Sequence, residues 1–189
     1  MARENDNAFW QYSLNIYGRP AVQQTCLSLQ DSLGLDVNLA LFCCWMASRG
    51  YRLPDAAVRV ALEQVSDWSA TIVGPLREVR CALPRNDGTT SEVAALRQSV
   101  KQLELQAERI EQDRLFRLSD TLALIEPPQT THQETGQDLG VLAANNMNAY
   151  LRTAGIATNT KTTKLVIEFL QAVFPETARA DIVDVFGPP

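Results

Sequence analysis

Hydrophobic residues in the middle of the chain recur at alternating spacings of four and three, on both sides of the turn 84–88. This periodicity predicts two helices, each with one narrow apolar seam that packs against the other helix. The turn between them is rich in Pro, Asn, Asp and Gly, which favours an antiparallel hairpin. The predicted seams are Val58, Leu62, Val65, Ser69, Ile72, Leu76, Val79 and Leu83 before the turn, and Val93, Leu96, Val100, Leu103, Ala107 and Ile110 after it.

Two features interrupt the first seam. Ser69 stands where an apolar residue is expected, and the pair Gly74-Pro75 lies inside the predicted helix. A proline inside a helix removes a hydrogen bond and clashes with the preceding turn. We therefore expect a kink at this pair, or two helices that meet end to end.

Capping residues, prolines and glycines mark the ends of the other helices. Thr89 and Glu92 form a capping box that opens the second seam helix, which is expected to run to about Ile125. In the N-terminal part, the signals predict a helix from an Asp6 cap to Tyr17 with Gly18 as a left-handed stop, one from Pro20 to the residue before Gly34, and one from an Asp36 cap to Gly50.

No segment shows the alternating pattern of a strand, so the sequence predicts an all-α fold. We expect a helical bundle that contains the antiparallel heptad-patterned hairpin and a C-terminal helical segment. Residues 126–138 are polar and contain two prolines, which is typical of a linker. The predicted organisation is a helical domain over 6–125, the linker 126–138, and C-terminal helices over 139–186 that dock on the first region.

Composition and charge exclude several classes of function. The formal net charge of −5 argues against general nucleic-acid binding. No apolar run approaches the roughly 20 residues that span a bilayer, so no membrane insertion is expected. Residues 1–7 lack an apolar signal core, which favours the cytoplasm. The four cysteines contain no C-x-x-C pair and are predicted to be buried and reduced.

Candidate catalytic and metal-binding groups are sparse. His132 is the only histidine and lies in the predicted linker, which removes multi-histidine metal sites. Carboxylates lie at helical spacing in three pairs, but a solvated charged face explains such pairs better than a magnesium site. The sequence therefore predicts no catalytic residue, no metal ligand and no cofactor. The three pairs are Glu63 with Asp67, Glu104 with Glu108, and Asp181 with Asp184.

Six residues remain as possible contacts to a ligand or a partner. Aromatic side chains on more than one face of the first helix indicate core packing, although exposed aromatics also favour binding. Three clustered arginines, Arg77, Arg80 and Arg85, form either a solvated helix face or a local basic patch. The candidate contacts are Trp10, Tyr12, Asp36, Asn38, Arg77 and Arg80.

Three segments carry a resemblance to a known family: FWQYSLNIYGRP at 9–20, GLDVNL at 34–39 and VGPLREVR at 73–80. Together they resemble a proteobacterial family of short all-helical proteins that is catalogued as a domain of unknown function. The resemblance extends over about residues 9–122. It implies a bacterial cytoplasmic protein and brings no catalytic residues with it.

Two classes of function follow from these observations. The first is a non-enzymatic helical protein that acts as an adaptor or regulator, with an unidentified protein partner or as a homodimer. The alternative is a helical enzyme or small-ligand-binding protein with a pocket between helices, polarised by Asp36, Asn38, Arg77 and Arg80. A deep pocket with converging charged groups would favour the alternative.

Overall fold

The computed structural model describes residues 7–84, 90–122 and 136–187. Within these ranges the regular structure is helical, without strands, and this confirms the all-α prediction. No helix in the described ranges is long and apolar enough to cross a membrane. The helices are α1 (Ala8–Tyr17), α2 (Pro20–Leu33), α3 (Val37–Ser48), α4 (Asp55–Trp68), a π-helical segment (Ser69–Val73), α5 (Gly74–Ala82), α6 (Ser91–Ser119), α7 (Gly136–Thr153), α8 (Thr160–Val173) and α9 (Arg179–Phe186).

The ends of the first three helices follow the predicted signals with two corrections. Asn7 caps α1 by accepting a hydrogen bond from the Trp10 backbone N–H at 2.8 Å, while the predicted cap, Asp6, lies outside the described residues. Gly18 is right-handed, with φ −64°, because its N–H continues the helical hydrogen bonding. Gly34 does take the left-handed conformation, with φ 65°, at the end of α2.

The predicted end of α6 and start of α7 also need correction. The side chain of Thr90 caps α6 by accepting from the Val93 N–H, whereas Thr89 lies outside the described residues. The helix ends at Ser119, earlier than the expected Ile125. In the predicted linker, residues 126–135 lie outside the described part, and 136–138 already belong to α7.

α3 occupies the centre of the molecule. Its sequence is apolar on all sides, and every residue from Asn38 to Ala47 is buried, as expected of a helix surrounded by other elements. Phe42 and Trp45 of this helix form an aromatic cluster with Phe9 of α1, with ring centroids 5.1 to 5.8 Å apart. The cluster fixes α1 against α3 through both buried area and ring geometry.

The C-terminal helices complete the same hydrophobic core. α7 packs against α3 and α4, and α8 packs against α2. Asn146 joins α7 to α3 and to the loop that follows α3. Its Nδ2 donates to the carbonyls of Cys43 and Tyr51, and its Oδ1 accepts from the Leu53 N–H. The division of the chain into two regions with a linker stays a prediction.

The predicted hairpin seam is only partly buried. Four of its residues are buried: Val58, Val65, Val100 and Ala107. Five others are 37% to 53% exposed: Ile72, Val79, Leu96, Leu103 and Ile110. On α6 the inward face keeps Val100 and Ala107 of the predicted seam but adds Glu104 and Glu111. These two glutamates directly follow Leu103 and Ile110, which the pattern had placed inward and which are exposed.

The pair Gly74-Pro75 lies where a π-helical segment gives way to α5. Pro75 has no N–H to donate to the preceding turn, and the chain widens there, with the Gly74 N–H donating to the Ser69 carbonyl. π-helical turns inside helices are frequent at functional sites. The irregularity expected at this pair is therefore a local widening of the helix. It lies immediately before α5, the helix that contains Arg77 and Arg80.

The cysteines were predicted to be buried, and one of them is not. Cys26, Cys43 and Cys44 are buried free thiols, and burial raises the pKa of Cys26 and Cys43 to about 12. Cys81, near the end of α5, is exposed, because no residue of α5 is buried. Its thiol is therefore accessible in the native protein.

Candidate ligand-binding site

Two arginines of α5 bind two glutamates of α6. Arg77 donates from Nε to Glu104 at 3.0 Å and from Nη2 to Glu108 at 2.8 Å. Arg80 donates to both carboxylate oxygens of Glu104 from Nε and Nη2. The side chain of Glu104 is only 7% exposed, and such a buried carboxylate requires partners of this kind. The solvated face expected for Glu104 and Glu108 is therefore wrong, and the arginines are bound by these glutamates.

Asp36 organises the start of α3. Its Oδ1 accepts from the backbone N–H groups of Asn38 and Leu39, which is the helix cap that the sequence predicted. Its Oδ2 accepts from the hydroxyl of Ser69 at 2.7 Å, so the π-helical segment is fixed to the same carboxylate. The Asp36 backbone N–H donates to the Tyr150 hydroxyl at 2.9 Å. Three elements thus meet at this residue: α3, the π-helical segment and α7.

A buried chain of polar groups leads from α3 to α6. The amide of Asn38 donates to Glu111 Oε2 at 2.8 Å, and the amide of Gln112 donates to Asn38 Oδ1 at 2.8 Å. Burial, and after it the charge of the nearby Asp36 carboxylate, raise the pKa of Glu111 to about 9. Glu111 is therefore a neutral acid at pH 7, which explains how it is tolerated without a cation.

Asn38 and Gln112, with the two arginines and their glutamates, line a cavity of about 360 Å³ between α1, α2, α3, α5 and α6. Its volume lies within the range of roughly 300–1,000 Å³ that is usual for small-molecule sites, which combine apolar walls with a few polar groups. The apolar lining includes Trp10, Leu14, Leu27, Leu41 and Leu105. The polar and charged lining is Ser13, Gln23, Gln30, Asn38, Arg77, Arg80, Lys101, Glu104, Glu108 and Gln112.

Two buried polar atoms that belong to the cavity lining have no hydrogen-bond partner among the described residues. They are the hydroxyl oxygen of Ser13 and the carbonyl oxygen of Gln112, whose residues are 4% and 3% exposed. Buried polar atoms are nearly always hydrogen-bonded in folded proteins. At this site the open cavity is where a partner for them can be held.

The structure brings four of the six predicted contact residues to this cavity: Trp10, Asn38, Arg77 and Arg80 line it. Tyr12 is not among the lining residues, and burial raises the pKa of its phenol. Asp36 is also absent from the lining and instead positions Asn38. The alternative prediction from the sequence, a pocket between helices, had named Asn38, Arg77 and Arg80 together, and these three residues line the same cavity.

Several other lining residues were not predicted from the sequence, above all Ser13, Lys101 and Gln112. Glu104 and Glu108 had been interpreted as solvated. One signal was available, since glutamates on one helix of an antiparallel hairpin can face arginines on the other. No such signal existed for Ser13, because a lone serine in an aromatic helix is common.

The geometry offers little support for a metal centre. In the described part of the chain, no group of three His, Cys, Asp or Glu side chains is placed to hold a metal ion. Glu104 and Glu108, the pair considered for magnesium, are bound by guanidinium groups instead. Glu108 is also less acidic than usual, because burial raises its pKa against the opposing effect of Arg77.

Residues 8–115 match the family model described as Protein of unknown function (DUF2390), which is more than half of the chain. The chain belongs to this family. The match confirms the resemblance seen in the sequence, although it ends earlier than residue 122. All cavity-lining residues of this DUF2390 member lie between Trp10 and Gln112, within the matched region. Searches of the curated proteins and of the solved structures returned no match.

Proposed function

We propose that this DUF2390 protein binds a small molecule in the cavity between α1, α2, α3, α5 and α6. The observation that supports this most strongly is the pair of buried unpartnered atoms, Ser13 Oγ and Gln112 Oε1, in the cavity lining. Beside them stand charged groups that are held in fixed positions by ion pairs. Convergent polar groups within an apolar cavity are the usual features of a ligand site.

The proposal is tested by filling the cavity. Leu105 lines it and is 49% exposed, so a tryptophan there can obstruct the cavity without disturbing the core. Leu103, on the same helix, is 52% exposed and does not line the cavity. Leu103→Trp is therefore a matched control for Leu105→Trp.

Each protein is incubated with the small-molecule fraction of a bacterial cell extract, separated from unbound compounds, denatured, and analysed by mass spectrometry. We expect the wild type and Leu103→Trp to retain the same compound and Leu105→Trp to lose it. Retention of nothing by the wild type, or equal retention by Leu105→Trp, would contradict the proposal.

A second candidate function is contact with another helical protein, which can be a second copy of the chain. Leu96, Leu103 and Ile110 are spaced seven residues apart on α6 and are 53%, 52% and 46% exposed. A heptad stripe of this kind is typical of a helix that pairs with another helix. The proposed adaptor role rests on this stripe.

Self-association is measured by sedimentation equilibrium over a range of concentrations. We expect a mass that rises toward two chains for the wild type and remains that of one chain for Leu103→Glu. The control is Val60→Glu, because Val60 is 44% exposed on α4 and lies away from the stripe. A wild type that stays at one chain throughout would exclude the homodimer.

The cytoplasm remains the proposed location. Three buried free thiols, Cys26, Cys43 and Cys44, support it, because thiols persist in reducing compartments. Fractionation of cells that express the tagged chain tests this, and recovery from the periplasm would contradict it.

A further inference from the structure

Three cations and two carboxylates line the cavity, and this balance indicates which ligand it accepts. Arg77 and Arg80 form ion pairs with Glu104 and Glu108. Lys101 lines the same cavity, and no carboxylate of a described residue lies within 4.0 Å of its ammonium group. One positive charge therefore remains without a counterpart in the described lining.

The arginines also keep donors that are not used in the ion pairs. Each binds the glutamates through Nε and Nη2, so the Nη1 group of each makes no hydrogen bond to a described residue. Guanidinium N–H groups and a lysine ammonium are the donors that proteins use for carboxylates. Because the excess is a single charge, a monoanion fits it better than a doubly charged phosphate.

The unpartnered polar atoms of the cavity lining require the opposite kind of group. Gln112 donates its amide N–H to Asn38, which fixes the orientation of the side chain and leaves Oε1 as an acceptor without a donor. Since a carbonyl oxygen can only accept, the ligand must present a hydroxyl or amino group there. The hydroxyl of Ser13 can accept or donate and fits the same group.

We propose that the ligand is a small hydroxy- or amino-substituted carboxylate. Its carboxylate is held by Arg77, Arg80 and Lys101, and its substituent donates to Gln112 Oε1. Its apolar portion packs against Leu14 and Leu105. This inference rests on the proposed function, and it names the chemical class of the molecule bound at the same site.

The test titrates four matched probes into the wild type by calorimetry: 2-hydroxyhexanoate, hexanoate, 2-hydroxyhexanamide and hexyl phosphate. We expect 2-hydroxyhexanoate to bind most tightly, because only this probe offers both a carboxylate for the cations and a hydroxyl for Gln112 Oε1. Loss of the hydroxyl, or of the carboxylate charge, should each weaken binding by about tenfold.

Two variants assign the contacts. Lys101→Gln should weaken the binding of 2-hydroxyhexanoate by about tenfold and leave the binding of the amide unchanged. Lys161 is exposed on α8 and does not line the cavity, so Lys161→Gln should alter the binding of neither probe. Gln112→Met should abolish the preference for 2-hydroxyhexanoate over hexanoate, a readout that a general loss of stability would not produce.

The outcomes separate the ligand class from the function. If the amide or the phosphate binds as tightly as the hydroxy acid and Leu105→Trp abolishes that binding, the class is wrong and the cavity still binds a ligand. If no probe binds but Leu105→Trp blocks retention of a compound from the extract, the class is again wrong and the function stands. If neither the probes nor the extract gives binding sensitive to Leu105→Trp, both are wrong.

Discussion

α3 and α6 bury residues by different rules. α3 is apolar on every side, and its buried residues are those that hydrophobicity predicts, such as Phe42 and Met46. α6 turns Glu104 and Glu111 inward and leaves Leu103 and Ile110 half exposed. On α6, unlike α3, apolar spacing alone therefore does not decide which residues are buried. Along α6, arginines on α5 and an asparagine on α3 favour the polar face.

The largest expected effect lies in the centre of α3. Phe42 is fully buried and its ring contacts Phe9 and Trp45. Phe42→Ala should lower the free energy of unfolding by about 3–5 kcal/mol, through lost burial and the cavity that is left. Leu96→Ala, at an exposed site of α6, should change it by less than about 0.5 kcal/mol. Denaturant unfolding measures both, and equal losses would remove the distinction between the two helices.

Most of the fold could be predicted from the sequence because its signals are local. Pro20, Gly34 and Asp36 each act through their own backbone or the next turn, and the structure places all three at the predicted helix ends. The hydrophobic run of α3 likewise needs no partner to be recognised as buried. Where a cap was missed, as at Asn7, the error was one residue.

The site could be predicted only in part because it depends on pairing between helices. Asn38 and Arg77 were recognised as candidates, but their neighbours on α6 are fixed by the rotation of that helix. Periodicity gave a rotation of α6 with Leu103 inward. The observed rotation turns Glu104 inward instead, where its ion pairs hold it. The cavity follows from that rotation, since Lys101, Leu105 and Gln112 line it together.

The buried acid of α6 makes stability depend on pH. Glu111 keeps its proton in the folded chain up to a pKa of about 9, whereas an unfolded glutamate loses it near about 4.3. Between these values the folded state binds one more proton. Stability is therefore complete below the unfolded pKa and falls as pH rises, by about 1.4 kcal/mol per pH unit from this group.

Between pH 6 and pH 8 the free energy of unfolding should fall by about 3 kcal/mol because of Glu111. Glu111→Gln mimics the protonated acid and retains an oxygen that accepts from Asn38. Because glutamine does not titrate, the stability of this variant should lack the pH dependence that comes from Glu111. Denaturant unfolding at pH 6, 7 and 8 compares the two proteins. Parallel pH dependence in the wild type and the variant would show that Glu111 is ionised in the folded chain.

A smaller effect separates the two faces of α6. If apolar seams alone decided packing, Glu104→Leu would stabilise the hairpin. We expect a loss of about 1–3 kcal/mol instead, because Arg77 and Arg80 would be left without their shared acceptor. The loss is moderated because the arginine side chains are 25% and 18% exposed. Leu103→Ala, at the adjacent position, should cost less than about 0.5 kcal/mol in the same unfolding measurement.

The inward face of α6 is the central claim, and thiol accessibility tests it most directly. In a Cys81→Ser background, which removes the exposed native thiol, Leu103→Cys is compared with Leu115→Cys, whose position on the same helix is fully buried. The reaction with a water-soluble thiol reagent is followed at a concentration where the protein sediments as single chains. We expect one thiol per native chain to react in Leu103→Cys and none in Leu115→Cys. Protection of Leu103→Cys until the chain is unfolded would show that the leucine face, not the carboxylate face, is turned inward.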